Sequence, residues 1–282
     1  MLKNPLKKYF WLFCLPTLLA FCIAFAIPFL SGIYLSFTSF TTVTNAKFVG
    51  LSNYIKAFSA DADFINSLKF TVKFSAVSVI SVNVIAFILA TLLTKKLRGT
   101  NVFRTLFFMP NLIGGIVLGY IWQLIINGVL LPFGYTITSS ANFGFWGLVA
   151  LTNWQLIGYM MIIYIAGINN VPHDIIEAAR VDGASNTRIL FNIIIPSVMP
   201  SITICLFLTI TNTFKIFDQN LALTAGAPSK ATSMLALDIY NTFYGRVGYE
   251  GVGQAKAVVF FVIVAFVALL QLYFTRRKEA EQ

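Results

Sequence analysis

The chain has 282 residues, of which 58% are hydrophobic and 11% charged. Soluble domains carry about 25% charged residues, so the composition excludes a water-soluble globular fold and requires lipid around the surplus apolar surface. The formal net charge of +10 would point to nucleic acid in a soluble protein, but here its distribution follows the membrane and no nucleic-acid partner is expected.

At about 20 apolar residues per crossing, six segments qualify: 9–37, 68–94, 103–126, 145–168, 189–210 and 257–274. The expected fold is an all-α membrane protein with six transmembrane helices, because a helix satisfies its own backbone groups in lipid. Lys3, Lys7 and Lys8 precede the first segment as they would in a signal peptide. Its apolar run is too long for one, so an uncleaved span is expected. Cys14, Cys22 and Cys205 all fall inside spans, where they read as small apolar residues; no disulfide or metal spacing is visible.

The third segment contains "MPNLIGGIVLGY". Pro110 removes a backbone donor, and Gly115 and Gly119 form a G-x-x-x-G face for close helix packing. Segments 38–67 and 217–256 are longer than a turn requires. They either dock an external partner or cap the helices irregularly. No internal repeat and no linker is visible, so a single membrane domain is expected. Its divisions are 1–66 (tail, first helix and outer loop), 67–275 (transmembrane domain) and 276–282 (tail).

With the N-terminus inside, the inner segments hold Lys3, Lys7, Lys8, Lys95, Lys96, Arg98, Arg104, Arg180, Arg188, Arg276, Arg277 and Lys278, twelve of the 20 basic residues. The connection 127–144 holds none. The positive-inside rule therefore puts both termini, the 95–104 loop and the loop around residue 180 in the cytoplasm.

That last loop opens "EAARVDGASNTRILFNIIIPSVMP", residues 177–200. Pro172 can start a short helix, with His173 a polar residue at its start and Asp174 and Glu177 near the positive end of its dipole. Ala178 and Ala179 keep one face thin. Gly183 suits a left-handed C-terminal cap, and Ser185 can cap the helix that follows. On this chemistry alone the stretch is either a docking helix or an ordinary solvated loop.

The same residues resemble the E-A-A-x-x-D-G-A…P signature of permease subunits of binding-protein-dependent ABC importers. The likeness runs along most of the chain and is strongest to the sugar branch, of maltose and glycerol-phosphate type. "FVGLSNYIKAF", "FKIFDQNLALTAGAP" and the basic C-terminal tail resemble the first permease of the usual pair. The resemblance implies a type I ABC importer fold with a cytoplasmic coupling helix near 172–184. In it Glu177, Ala178, Ala179, Asp182 and Gly183 would engage a separate ATPase. It implies a second permease, two ATPase subunits, an extracellular or periplasmic solute-binding protein and a small-molecule sugar as partners. The chain has no phosphate-binding G-x-x-x-x-G-K-[ST] loop, so no cofactor of its own is expected, ATP and Mg being bound by the ATPase, and no catalytic activity.

Polar residues deep in a span face a cavity or a neighbouring helix. Thr209, Asn212, Thr213 and Ile216 follow i, i+3, i+4, i+7 spacing and are expected on one face. In the maltose-type family the matching positions, and Tyr159, line the sugar path; Ile216 departs from a polar residue there. Trp154 and Gln155 lie nearby. From the residues alone, interhelical hydrogen bonding and aromatic anchoring explain these positions equally well. Lys215 and Asp218, near the outer end, are candidates for contact with an acidic substrate and with the receptor, although interfacial snorkelling also accounts for Lys215. A secondary transporter would usually need carboxylates within the membrane, and none lies deep in a span. A membrane enzyme would need catalytic groups clustered at one interface. An ABC importer for a non-sugar solute stays open.

Overall fold

A computed structural model describes residues 10–60, 62–95 and 98–280. Lys3, Lys7, Lys8 and Lys96, used above for orientation, lie outside these, as do the start of the first span at Tyr9, residues 281–282 of the tail and the side chains of Arg277 and Lys278.

Helix α1 (Phe10–Phe21), a π turn over Cys22–Ala26 and α2 (Ile27–Leu35) run on as one apolar rod, Trp11–Leu35, long enough to cross a membrane. None of its apolar window is buried by the rest of the chain. A two-residue antiparallel ladder follows, β1 (Thr38–Ser39) on β2 (Lys47–Phe48), a small departure from the all-helical expectation. Then come α3 (Ser52–Ile55), α4 (Ala62–Leu93), α5 (Thr100–Phe108), α6 (Gly115–Leu130), α7 (Ala141–Asn169), α8 (His173–Val181), α9 (Asn186–Ile189), α10 (Ile195–Ser197), α11 (Met199–Phe214), α12 (Asp218–Leu223), α13 (Leu235–Gly245) and α14 (Glu250–Ala280). The chain divides into two compact units. One comprises the residues up to Ala62 with Ile239–Phe260, the other Asp63–Asp238 with the residues from Phe261 on.

In the first unit, buried Asn53 donates through Nδ2 to the carbonyls of Ser36 (2.9 Å) and Thr38 (2.8 Å). These bonds pin the loop after α2. At Gly251, in the first turn of α14, a Cβ would collide with the Thr38 carbonyl and the Asn53 amide.

The second unit is organised around α7. More than half of its apolar window is buried, against a third or less in the other spans. Phe145, Leu148 and Leu151 near its start pack with Phe74, Leu118 and Leu223; Met160, Met161 and Tyr164 further along pack with Val82, Ala86 and Cys205.

Among the described residues five helices are long and apolar enough to cross a membrane, six if the bent pair is one span, and two of the expected segments are not straight rods. The segment 103–126 splits into α5, a 3-10 turn over Met109–Leu112 and α6, and the membrane-length helix is Gly115–Phe133. Pro110 supplies no N–H, and Ile113 and Gly114 adopt extended backbone at the break (ψ 131° and 141°). The segment 189–210 bends by 70° between Asn186–Ser197 and Met199–Phe214. Pro196 and Pro200 flank the bend, each in the first turn of a new helical segment, and neither has an N–H to continue the preceding ladder.

The glycine face of α6 packs on α12. A Cβ at Gly115 would lie 2.7 Å from Asp218 Cβ, and one at Gly119 2.7 Å from Ala222 Cβ. The closest approach lies elsewhere: Gly158 of α7 sits against the backbone at the end of α5, and a Cβ there would overlap the Phe107 carbonyl. Backbone cannot swing aside as a side chain does. Gly158→Ala is therefore expected to destabilise the protein by ~1–3 kcal/mol or more, as overpacking does, and to lower its thermal midpoint in detergent. Gly128→Ala, at an open helical position, is expected to raise it, because alanine is the better helix former by about 1 kcal/mol. Equal midpoints for the two variants would contradict the close contact.

Candidate functional site

Two features stand out, one past the C-terminal end of α7 and one at its middle. At its C-terminal end the chain turns at Asn170 and Pro172 into α8. The helix stops in a Schellman motif: Ala184 N–H donates to the Ala179 carbonyl (2.9 Å) and Gly183 N–H to that of Arg180 (3.0 Å), with Gly183 at φ +79°. A left-handed residue there is what glycine permits without strain. Ser185 then caps α9, its Oγ accepting from Arg188 N at 3.3 Å. All the capping roles read from the sequence are present.

No residue of α8 is buried. Ile175, Ala178, Ala179 and Asp182 share a face at i, i+3, i+4, i+7 spacing, and Ile175 is 51% exposed. Val181, at the helix end, is 88% exposed. Glu177 is exposed and makes no ion pair among the described residues. A nine-residue helix is too short to be stable on its own, so α8 depends on its caps and its two anchored ends.

At the middle of α7, a cavity of about 270 Å³ opens between α7, the break before α6 and the break between α11 and α12. Thr152, Gln155, Leu156 and Tyr159 line it from α7, Asn111 from the 3-10 turn, and Asn212, Lys215, Ile216 and Gln219 from the far side. Gln219 Nε2 donates to Gln155 Oε1 (2.9 Å), and Gln155 Nε2 to the Ile113 carbonyl (3.4 Å). The wall is thus amide-rich, with one aromatic ring, one ammonium group and no carboxylate. Thr152 Oγ1 is buried on this wall and finds no partner.

Of the expected path residues, Tyr159, Gln155, Asn212 and Ile216 are brought together here. Thr209 and Thr213 are not, which corrects the single-face expectation. Both are fully buried. Thr209 Oγ1 donates to the Cys205 carbonyl (2.6 Å) and accepts from Asn83 Nδ2 (3.2 Å), while Thr213 Oγ1 donates to the Ile210 carbonyl (3.1 Å). Four positions spread over i to i+7 span too wide an arc for one narrow wall, and packing divides them into Thr209/Thr213 inside and Asn212/Ile216 at the cavity. Trp154 also faces away, 44% exposed, with its ring 5.8 Å from that of Trp122.

Behind the cavity wall lies a buried interhelical network. Tyr164 OH donates to Asn83 Oδ1 (2.7 Å), and Asn83 Nδ2 donates to the Val79 carbonyl (2.8 Å) as well as to Thr209. The sequence reading missed Asn111, Thr152 and Gln219. Thr152 was detectable, since Thr152, Gln155 and Tyr159 follow i, i+3, i+7 on an apolar helix. Asn111 and Gln219 lie on breaks that carry no periodic signal.

Residues 98–280 match the family described as "Binding-protein-dependent transport system inner membrane component". The chain belongs to that family. It is a multi-pass membrane permease subunit of a binding-protein-dependent transport system. The permease is similar, at 44% identity over 281 residues (97% of this chain, 96% of the relative), to the probable starch degradation products transport system permease protein of Thermoanaerobacterium thermosulfurigenes. It is 29% identical over 289 residues (99% of each chain) to the multiple sugar-binding transport system permease protein of Streptococcus mutans. Its fold matches a chain from a bacterial ABC transporter involved in the import of the acidic polysaccharide alginate. The TM-score is 0.81 at 19% identity, covering 96% of this chain and 97% of that one.

The contrast between Thr152 and the buried network gives a direct test. Thr152→Val removes a hydroxyl that has no partner and is expected to leave the thermal midpoint of the permease unchanged or raise it. Tyr164→Phe leaves Asn83 Oδ1 without its donor and is expected to cost ~1–3 kcal/mol. A stability loss for Thr152→Val as large as that for Tyr164→Phe would mean that the hydroxyl is already satisfied within the fold.

Proposed function

We propose that this permease forms half of the translocation path of an ATP-driven carbohydrate importer. It works with a second permease, two copies of a separate ATPase that binds ATP and Mg, and a solute-binding protein on the far side of the membrane. The observation that carries this reading is α8, a capped helix with an exposed apolar and alanine face and no buried residue. It follows the helix that also lines the polar cavity. Such a helix is suited to a cleft in another protein. Glu177, which makes no ion pair among the described residues, is available to a basic group there; Ala178 and Ala179 allow close approach; Asp182 and Gly183 fix the turn.

The cytoplasmic side is then the α8 side, where Lys95, Arg98, Arg104, Arg180, Arg188 and Arg276 also fall, with both termini inside and the membrane a bacterial inner one. The long segments 38–67 and 217–256 face the receptor. The amide, hydroxyl and aromatic lining suits sugar recognition: Tyr159 presents a ring face, and Gln155, Asn212 and Gln219 present donors and acceptors for hydroxyls. At about 270 Å³ the cavity falls just below the ~300–1,000 Å³ usual for small-molecule sites, which fits a path completed by the second permease. The similarity to relatives named for starch products and multiple sugars supports a carbohydrate. Lys215, with no carboxylate in the lining, extends the candidates to acidic sugars.

The test is ATP hydrolysis by the reconstituted complex, measured with receptors loaded with neutral oligosaccharides, acidic oligosaccharides or amino acids. Stimulation is expected with a sugar-loaded receptor. Glu177→Ala is expected to reduce it by roughly tenfold or more, since truncating one member of a buried interfacial charge pair costs about 2–5 kcal/mol. Transport by the chain alone, indifferent to that substitution, would overturn the reading; stimulation only by an amino-acid receptor would move the substrate to another class.

A further inference from the structure

The start of α4 carries an arrangement that the translocation path does not use. Lys69 and Lys73, one turn apart on the same face, are exposed and make no ion pair among the described residues. With Asp63, Asn66, Phe70 and Lys230 they line a second cavity of about 380 Å³. Three lysines thus meet one carboxylate, and that carboxylate is engaged: Lys230 Nζ lies 2.6 Å from Asp63 Oδ2. Like charges at i and i+4 destabilise a helix, so the pair on α4 is suited to an anion from outside the chain.

The opposite wall is preformed. Ala225, Ser229 and Lys230 all have positive φ (48°, 45° and 64°), a backbone state that non-glycine residues hold only when their surroundings impose it. Those surroundings are explicit. Buried Asn220 donates to the Thr232 carbonyl (2.9 Å) and accepts from Met234 N (2.8 Å), and Thr232 Oγ1 donates to the Ala227 carbonyl (2.7 Å). Leu235 N donates to Thr71 Oγ1 on α4 (2.9 Å), which fixes the loop to the lysine-bearing helix.

Depth identifies the ligand. Residues 74–93 contain no charged side chain, and their ~20 helical residues span ~30 Å, one hydrocarbon thickness. Lys73 therefore lies at the hydrocarbon boundary and Lys69 a turn further out, among the headgroups. The Lys73 ammonium sits 4.7 Å from the centroid of the Phe145 ring, and Phe70 packs edge-on to the same ring, centroids 5.8 Å apart. Phe70 thus gives the cavity an apolar side suited to glycerol and acyl carbons, backed by the buried Phe145 ring. Phe145 is at the start of α7, the end opposite α8. On the orientation proposed above, this is the outer side, where the positive-inside rule disfavours cations.

We propose that this cavity binds the phosphodiester of an anionic membrane phospholipid at the face opposite α8. Lys69 and Lys73 donate to the phosphate oxygens as point charges, and Lys230, held by Asp63, closes the rim. The test is native mass spectrometry of the full chain purified in mild detergent and titrated with phosphatidylglycerol or phosphatidylcholine, with and without inorganic phosphate. Phosphatidylglycerol is expected to be retained on the order of tenfold more tightly than phosphatidylcholine, two lysines near a headgroup each contributing to that preference. Lys69→Gln/Lys73→Gln is expected to abolish the preference. Lys69→Arg/Lys73→Arg is expected to preserve it, as is Lys47→Gln, an exposed cation outside the cavity. An unchanged preference in the double glutamine variant would overturn the proposal. Displacement of the lipid by inorganic phosphate would overturn it too, in favour of a soluble anion, as would a preference seen only when a solute-binding protein is present.

Discussion

In lipid, every backbone N–H and C=O that leaves a helix must find a partner within the protein, and this requirement governs the second unit. Its helical ladders are interrupted at Met109–Gly114, at Val198 and at Lys215–Phe217. None of these breaks can face hydrocarbon at mid-membrane depth. Close contacts that only glycine allows flank them instead: Gly158 of α7 meets the backbone of Phe107 and Phe108, Gly167 of α7 meets Ser201, and Gly115 of α6 meets Asp218 and Gln219. Where the first break turns to extended backbone, the Ile113 carbonyl is met by Gln155 Nε2 from α7. A side-chain amide thus does locally what a helical turn would otherwise do.

The polar cavity is a consequence of that arrangement. Two breaks brought to one side of α7 leave a gap that continuous helices would have filled with apolar side chains. The groups around it are not equally committed. Gln219 donates to Gln155, which donates in turn to the Ile113 carbonyl, so a ligand competing for these groups must offer hydrogen bonds at least as good. Thr152 Oγ1 is already desolvated and unpaired, and a ligand hydroxyl reaching it would gain a hydrogen bond without stripping water from the protein partner. Tyr164, Asn83 and Thr209 are fully paired behind the wall and hold the three helices in register. Polar residues within the same few turns therefore divide into those that fix the scaffold and those that meet the cavity.

Much of this was legible in the chain. Apolar runs located the crossings, and the residues from Pro172 to Ser185 specified a capped helix because capping is local chemistry: a φ-restricted start, a glycine at the left-handed position and a serine to begin the next turn. The G-x-x-x-G face of α6 was equally readable, although its partner, α12, was not. What escaped were features decided between elements. Proline marked the breaks at 110, 196 and 200 without saying that the chain would bend by 70° or that the crossing would begin again at Gly115. Periodicity put Thr209, Asn212, Thr213 and Ile216 on a common arc, but only the position of α4, which carries Asn83, decides which half of that arc is interior. Asn111 and Gln219 meet Gln155 across long stretches of sequence, and no spacing rule relates them.

The same contacts determine how a displacement of α8 would travel. Its N-terminal end continues from α7 through Val171, which is buried, and its C-terminal end passes through the Gly183 turn and Ser185 to Ile189, also buried. The bend that follows is clamped to α7: Val198 is buried, and a Cβ at Gly167 would overlap the Ser201 side chain. A force on α8 is therefore delivered to the end of α7 and to the bend together, not to a flexible loop that would absorb it. Beyond the bend, α11 runs to Asn212 and the break at Lys215, while α7 carries Thr152, Gln155 and Tyr159. Gly167 and Ser201 hold the two helices together near the bend, and Cys205 Sγ–H donates to the Met160 carbonyl (3.7 Å) further along, while the cavity opens at the middle of α7 beside the far end of α11, where the Gln219–Gln155 bond bridges the gap. The exposed helix and the polar cavity are thus joined through one clamped pair of helices.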